Sequence, residues 1–332
     1  MEQKIQQTEN IGMVIGLLKS KDIRTGTSER GNYANGNIVV QVKNEYGVSE
    51  IKIDVMQNEK YNNGNDNKAY KSLLTIRDTY KTIKDHGEEN ADLVQVYVKI
   101  DENNYYAKDE DAMRETIRLM ATTDFDKGFF TPISRVKDVN AKQTARISFG
   151  GFIQDITKKE DGTLDVSMVG ATYSGKAIKH KLQVGQELAS AFQNTYFVGQ
   201  STTLYYVIVN AVELVKAKEE VAFGEGSGMT VEKFTRKNLV VGGSNPHVNG
   251  LTQEQVAHML KIRTVELEEK LEKERAKVNN TTENVGFGGA TGGFGDMNAG
   301  FGGLAGTVNT TVSAGGFGGE TITEMSNPFG MA

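Results

Sequence analysis

The stretch Gly170-Ala-Thr-Tyr-Ser-Gly175-Lys176 is where this chain comes nearest to a chemistry-bearing motif, the phosphate-cradling loop G-x-x-x-x-G-K-[ST]. That loop needs a buried strand before it, a helix after it, and a Ser or Thr behind the Lys to hold magnesium. The strand is present as LDVSMV, but Ala177 stands in the hydroxyl position. Residues 177–184 then alternate apolar and polar with period two, the pattern of a half-buried strand and not of a helix. Without a helix N-terminus there is no row of free amides for a phosphate. Other catalytic sets are thin. The chain has no Cys, which removes thiolate nucleophiles, thiolate metal sites and disulfides together. His86, His180, His247 and His258 are scattered, and His180 falls on the inward side of its strand, where a hydrogen-bonded core role is expected. Glu59, Asp66, Glu88 and Asp92 read as loop charges, without the spacing of a metal or acid–base cluster. The residues point away from an enzyme, and no cofactor or metal is expected.

The elements that position these residues are mostly strands, and their order repeats. A first copy runs through strands at 11–18, 37–43 and 49–55, a helix at 68–83 and a strand at 93–100, with a polar loop from Lys19 to Asn37. A second copy runs through strands at 146–153, 162–169 and 177–184, a helix at 187–196 and a strand at 202–209. Residue identity between the copies is slight, so the repeat rests on order. Overlaying them puts Gly170–Gly175 on the same hairpin turn as Asn44–Gly47, with Gly175 serving a turn that needs positive φ. The near-match to a phosphate loop is therefore read as a hairpin tip. After the second copy, Leu251 and Thr252 open a helix with Thr252 and Gln255 at capping-box spacing, and Val256, Leu260, Leu267 and Leu271 lie near one face. That face reads as a short coiled-coil seam or as packing on its own domain.

Three strands, a helix and closing strands is the order of the OB-fold, a small partly open barrel. Read with the Gly-rich uncharged segment after Asn279 and the terminal ITEMSNPFGMA, the duplicated order resembles the OB-fold single-stranded DNA-binding proteins of bacteria and phages. The resemblance implies a mainly β fold of two tandem OB-like barrels with short helices, a C-terminal helix and a disordered Gly-rich tail. It implies single-stranded DNA as partner, protected during replication or recombination. It also implies a tail whose tip, Pro328 and Phe329, recruits replication or recombination proteins. The tip departs from that family, because Gly330, Met331 and Ala332 follow the Phe and only Glu320 and Glu324 supply nearby acid. The chain also lacks Trp, so any stacking falls to Tyr and Phe.

Such a surface needs cations for phosphates and flat rings for bases, stacking being worth about 1–3 kcal/mol per base. In the first copy the candidates are Lys19, Lys21, Arg24, Arg30 and Tyr33 of the polar loop, then Lys60, Tyr61 and Lys68 beyond the third strand. If Val94, Val96, Val98 and Ile100 face inward, Tyr97 and Lys99 face out with Gln95. In the second copy Tyr173 and Lys176 lie on the turn and Lys179 and Lys181 on the outward side of the strand after it. A lone surface Lys is usually only a solvating charge, so the weight rests on cations and rings interleaving.

Of the net charge of −5, the acids Glu283, Asp296, Glu320 and Glu324 carry most, leaving a nearly neutral body able to hold a basic groove. The polar N-terminus and the lack of a long apolar run argue for a cytoplasmic protein, the host cytoplasm if phage-encoded, with no membrane contact. The expected division is 1–108 as the first barrel, 109–145 as connector, 146–218 as the second barrel, 219–278 as linker and helix, and 279–332 as tail. Phe129 and Phe130 in the connector are expected to staple the barrels together, and a homo-oligomer is compatible with the pattern. The competing reading is a non-enzymatic virion or tail component, since those also use small barrels and Gly-rich ends.

Overall fold

The computed structural model describes residues 5–29, 31–123, 132–138, 140–216 and 230–283. Strands β1 (Asn10–Ser28), β2 (Gly31–Asn44) and β3 (Gly47–Asn58) form an antiparallel meander, followed by helices α1 (Lys68–Thr79) and α2 (Ile83–His86) and strand β4 (Leu93–Glu102). A small hairpin of β5 (Tyr105–Ala107) and β6 (Ala112–Arg114) leads into β7 (Ile117–Ala121), and β8 (Ile133–Arg135) follows. The second series is β9 (Thr144–Lys158), β10 (Leu164–Ala171), β11 (Ala177–Val184), α3 (Gln186–Thr195), β12 (Ser201–Lys216) and β13 (Thr230–Gly243), and α4 (Gln253–Glu283) comes last.

The fold is mainly β and closes into two OB-like rings. In the first, the ladder runs β1, β2, β3, β7, β4 and back to β1, with β7 parallel to β3 at Asp54 opposite Met120. In the second it runs β9, β10, β11, β13, β12 and back to β9, with β13 parallel to β11 at Gln183 opposite Leu239. Each closing strand comes from outside the stretch that reads as barrel in the sequence: β7 lies within 109–145 and β13 within 219–278. Both pair in parallel through very few residues, and their sequences carry no clean alternation to announce them.

Alternation sets the interior. Val94, Val96, Val98 and Ile100 are buried with Ile38, Val40, Val42, Ile51, Ile53 and Val55 in the first ring, as period-two patterning requires. Full burial of such a side chain is worth about 1.5–3 kcal/mol, so these rows supply most of the driving force for closure. Helix α1 plugs the first ring with Tyr70, Leu73 and Ile76, capped at its start by Asn67, whose side chain accepts from the Ala69 amide at 2.9 Å. It stops at Thr79 short of the expected 83, because Tyr80 is extended and Thr82 caps a new turn at Ile83. In the second ring α3 contributes Ala189 and Phe192 beside Phe149, Ile153, Leu164, Val166, Leu182 and Tyr206.

The stretch from Lys19 to Asn37 is not a loop. It is the paired arm of a long β1–β2 hairpin, with Lys21 opposite Ile38 and Ser28 opposite Gly31. Polar residues hide it from pattern reading, yet backbone ladders need no apolar side chains. Gly36 permits the arm, since its φ is +145° and a Cβ there would sit 1.8 Å from the Asp22 carbonyl oxygen. The 170–176 stretch is a hairpin tip as expected: Gly175 has φ +75°, and the Lys176 amide donates to Thr172 Oγ1 at 3.0 Å.

The rings join through their first strands. β1 and β9 pair antiparallel from Asn10 opposite Phe149 to Ile15 opposite Thr144, and β12 meets β3 at Ala211 opposite Ser49. One buried apolar cluster runs through both rings. Phe129 and Phe130, expected as the staple, lie outside the described residues, as do Arg30 and the segment from 284 onward with Pro328 and Phe329. Helix α4 opens with the expected capping box, Thr252 and Gln255 each accepting from the other's amide. Its Val256 and Met259, with Leu251 just before it, pack on Phe152, Val169, Ala171 and Ala177 of the second ring.

Candidate nucleic-acid interface

The candidate residues fall into three places. The first is the far end of the β1–β2 hairpin. There Tyr33 faces outward opposite Gly26, and a Cβ on Gly26 would lie 2.5 Å from the Tyr33 hydroxyl, so the ring covers that glycine. Tyr33 also stands opposite Asn58 of β3, which brings it near Lys60 and the half-exposed Tyr61 on the turn after that strand. Lys60 and Asp66 pair through their backbones in an isolated bridge, the Asp66 carboxylate being held by Lys71, and Lys68 is exposed at the start of α1. Arg24 grips Asp22 through Nε and Nη2 at 3.0 and 2.9 Å.

Lys19 and Lys21 belong to the body of the hairpin and are engaged there. Lys19 pairs with Glu50 of β3. Lys21 Nζ donates to the carbonyls of Ile76 and Tyr80 at 2.9 and 2.6 Å, a cation closing the C-terminus of α1. A shift of register between Leu18 and Ser20 turns Lys21 toward the helix, a bulge that strict alternation does not foresee. Burial pulls its pKa below the ordinary lysine value, against the opposing pull of Asp85, Asp78 and Asp92.

The second place is the outer face of the joined first strands. Tyr97 and Lys99 are half-buried on β4, opposite Met13 and Met120. Met13 is in turn opposite Arg146 of β9, whose guanidinium carbon lies 5.6 Å from the Tyr205 ring centroid. Tyr97, Met13 and Arg146 therefore form one row that carries a ring and a cation across the ring junction. That Arg146, with Tyr205 beside it, falls in one row with Tyr97 is not evident from the sequence. Alternation shows that both point outward, but only the β1–β9 ladder places them together.

The third place is the outer face of β10 and β11. Tyr173 at the hairpin tip is 86% exposed. Lys176 pairs with Glu266 of α4 at 2.6 Å, Lys179 lies 3.7 Å from Glu115, and Lys181 is exposed and makes no ion pair among the described residues. Lys179 and Lys181 line a groove of about 570 Å³ with Gln154, Ser167 and Asn238 of the second ring, Glu102, Glu115, Thr116 and Ile117 of the first, and Arg263 of α4. Arg263 is 7% exposed and donates to Glu102 and Glu115 at 2.7 Å each. Burial works against its charge, but the two carboxylates outweigh that cost and hold its pKa above the ordinary arginine value. The groove thus offers amides, a hydroxyl and cations on one side and a neutralised acidic wall on the other. Nothing in the local sequence around Glu102, Glu115 or Arg263 reveals this, because the three come from elements far apart in the chain.

His180, beneath this face, sits in the core at 3% exposure between Phe149 and Tyr206, with both ring centroids 5.1 Å away. The core placement is as expected, but the expected hydrogen bond is not there, since neither ring nitrogen has a partner. Burial drops its pKa to about 3, so the ring is neutral at ordinary pH. His247 meets Ser244 Oγ at 3.1 Å, while His86 and His258 are exposed on α2 and α4. Among the described residues no helix is long and apolar enough to cross a membrane.

A family model described as YorF matches residues 8–274. No curated protein matches. Solved structures similar to the chain include the single-stranded DNA binding protein from Thermus aquaticus, at 12% identity and a TM-score of 0.42, covering 74% of this chain and 97% of that one. A deletion mutant of the same protein gives 12% identity and 0.43, covering 74% and 98%. A Replication Protein A heterotrimer bound to single-stranded DNA gives 12% identity and 0.16, covering 62% and 45%.

Proposed function

The chain belongs to the YorF family, and we propose that it is a non-enzymatic protein that binds single-stranded DNA without sequence preference. The observation that carries this reading is the arrangement of outward cations and tyrosines on two closed rings fused through their first strands. Strands 2 and 3 of such a ring are the face through which this kind of barrel meets oligonucleotides. In the second ring that face is β10 and β11, where Lys179 and Lys181 line a groove and Tyr173 and Lys176 stand on the hairpin tip. The Tyr97–Met13–Arg146 row offers a second contact across the junction. Lysines steer and hold the phosphates, and exposed rings accept stacked bases of any identity, which is why sequence preference is not expected.

In this reading the role is protection of unpaired DNA during replication or recombination in the cytoplasm. The segment 279–332 recruits partner proteins through its apolar tip at Pro328 and Phe329. The reading is tested by mobility shift with single-stranded DNA, duplex DNA and RNA in parallel at low salt. Retention of the single strand well ahead of the duplex supports it. Equal neglect of all three overturns it and favours a purely structural component. Deleting 279–332 is expected to leave oligonucleotide affinity intact while abolishing partner pull-down. A large loss of affinity would show that the tail belongs to the DNA site.

A further inference from the structure

Helix α4 is held in two different ways along its length. Its first turns are anchored by apolar packing of Val256 and Met259 on the second ring. Beyond Arg263 no residue up to 278 is fully buried, Leu267 and Leu271 being only half-buried, and polar contacts tie the helix to the body. Glu266 pairs with Lys176 at 2.6 Å, Lys270 Nζ donates to the Asn104 carbonyl at 2.6 Å, and Arg275 grips Asp111 with both carboxylate oxygens at 2.8 Å. Contacts of this kind are individually weak in water and yield to salt and competing anions.

Glu266 of α4, and Glu115 between β6 and β7, sit where phosphates would have to go. On the reading that β10 and β11 bind a single strand, Lys176 and Lys179 are phosphate ligands, yet each already faces a carboxylate, Glu266 and Glu115 respectively. We propose that Glu266 and Glu115 are internal competitors for Lys176 and Lys179, and that an incoming polynucleotide breaks the Glu266–Lys176 tie and loosens α4 beyond Arg263 from the body. The inference rests on the single-strand reading but adds a cost and a moving part to it. The apolar first turns act as the hinge-side anchor, and the strap beyond Arg263 loses its tie to the second ring as a phosphate takes Lys176, leaving the Lys270–Asn104 and Arg275–Asp111 contacts to hold it.

The test is anisotropy of a labelled oligo-dT across a salt series for the full chain, Glu266→Gln, and Glu115→Gln with Glu266→Gln. Glu269→Gln, on an exposed position of the same helix, controls for net charge alone. Each freed lysine is expected to tighten binding about two- to fivefold at low salt. It is also expected to steepen the slope of log K against log salt by about 0.7. Hydrogen exchange at 264–278 should rise when the full chain is saturated with oligo-dT. Binding by the Gln variants where the full chain fails would support the same competition in stronger form. If the full chain binds but the Gln variants gain no more than Glu269→Gln, or 264–278 stays protected, the competition is wrong and the single-strand reading stands. If none of the four proteins binds, both fall. Glu266→Gln removes only a surface pair, so its melting temperature should match the control. Glu115→Gln also takes a carboxylate from the buried Arg263 and is expected to lower the melting temperature. A large drop in Glu266→Gln itself would mean that its carboxylate serves the fold instead.

Discussion

Replacing His180 by Leu isolates one buried imidazole whose energetic signature is a slope in pH. The ring lies in the second barrel between Phe149 and Tyr206, with no partner for either nitrogen. Burial holds its folded pKa at about 3, against about 6.5 in an unfolded chain. The folded state therefore keeps it neutral, while the unfolded chain takes up a proton once pH falls below about 6.5. Stability from this residue is complete above that value and declines as pH drops from 6.5 toward 3, by about 1.4 kcal/mol per unit. Between pH 7.5 and 4.5 the decline amounts to roughly 3 kcal/mol. The Leu variant has nothing to protonate at that site. At pH 7.5 the exchange removes two unsatisfied nitrogens and two ring contacts, terms of opposite sign and about 1 kcal/mol each. The readout is thus the change in the stability difference with pH. Urea unfolding of both proteins at pH 7.5 and 4.5 should show the variant gaining about 3 kcal/mol on the parent at the lower pH. Parallel pH profiles would refute the reasoning, because they would mean the imidazole is charged or hydrogen-bonded in the folded ring.

Three further outcomes follow from particular contacts. Gly36→Ala should destabilise by about 2 kcal/mol or more in urea unfolding, because the added methyl meets the Asp22 carbonyl and the positive φ is unfavourable for any Cβ. Lys21→Met should cost about 1–2 kcal/mol by uncapping the Ile76 and Tyr80 carbonyls, and its loss should appear first as faster hydrogen exchange at the end of α1. Tyr33→Ala combined with Tyr97→Ala should weaken oligo-dT binding by about 1–3 kcal/mol per ring while the melting temperature moves little. A collapse of stability would place those rings in the core.

Much of the architecture was legible in the sequence, and the gaps have physical causes. Period-two alternation marked Val94, Val96, Val98 and Ile100 as inward and Lys179 and Lys181 as outward, because burial acts on each side chain separately. The helix start at Thr252 and the turn at Gly175 were legible for the same reason, since each depends on a few neighbouring residues. Ring closure was not. β7 and β13 are defined by backbone pairing with strands far away in sequence, and their side chains need not alternate to satisfy it. The polar arm of the β1–β2 hairpin was hidden likewise, and the bulge after Leu18 reversed the side on which Lys21 lies. At the candidate site, residue types were readable but their company was not. Arg146 shares a row with Tyr97 only through the β1–β9 ladder, and Arg263 meets Glu102 and Glu115 only because α4 crosses from one ring to the other.

The salt dependence of oligo-dT affinity, measured for the full chain beside Lys179→Gln with Lys181→Gln, bears most directly on the claim that the β10–β11 face binds a single strand. The account predicts a linear fall of log K with log salt, at about 0.7 per phosphate neutralised, and a slope shallower by about 1.4 when both lysines are removed. A salt-independent interaction, or identical slopes for the two proteins, would contradict it.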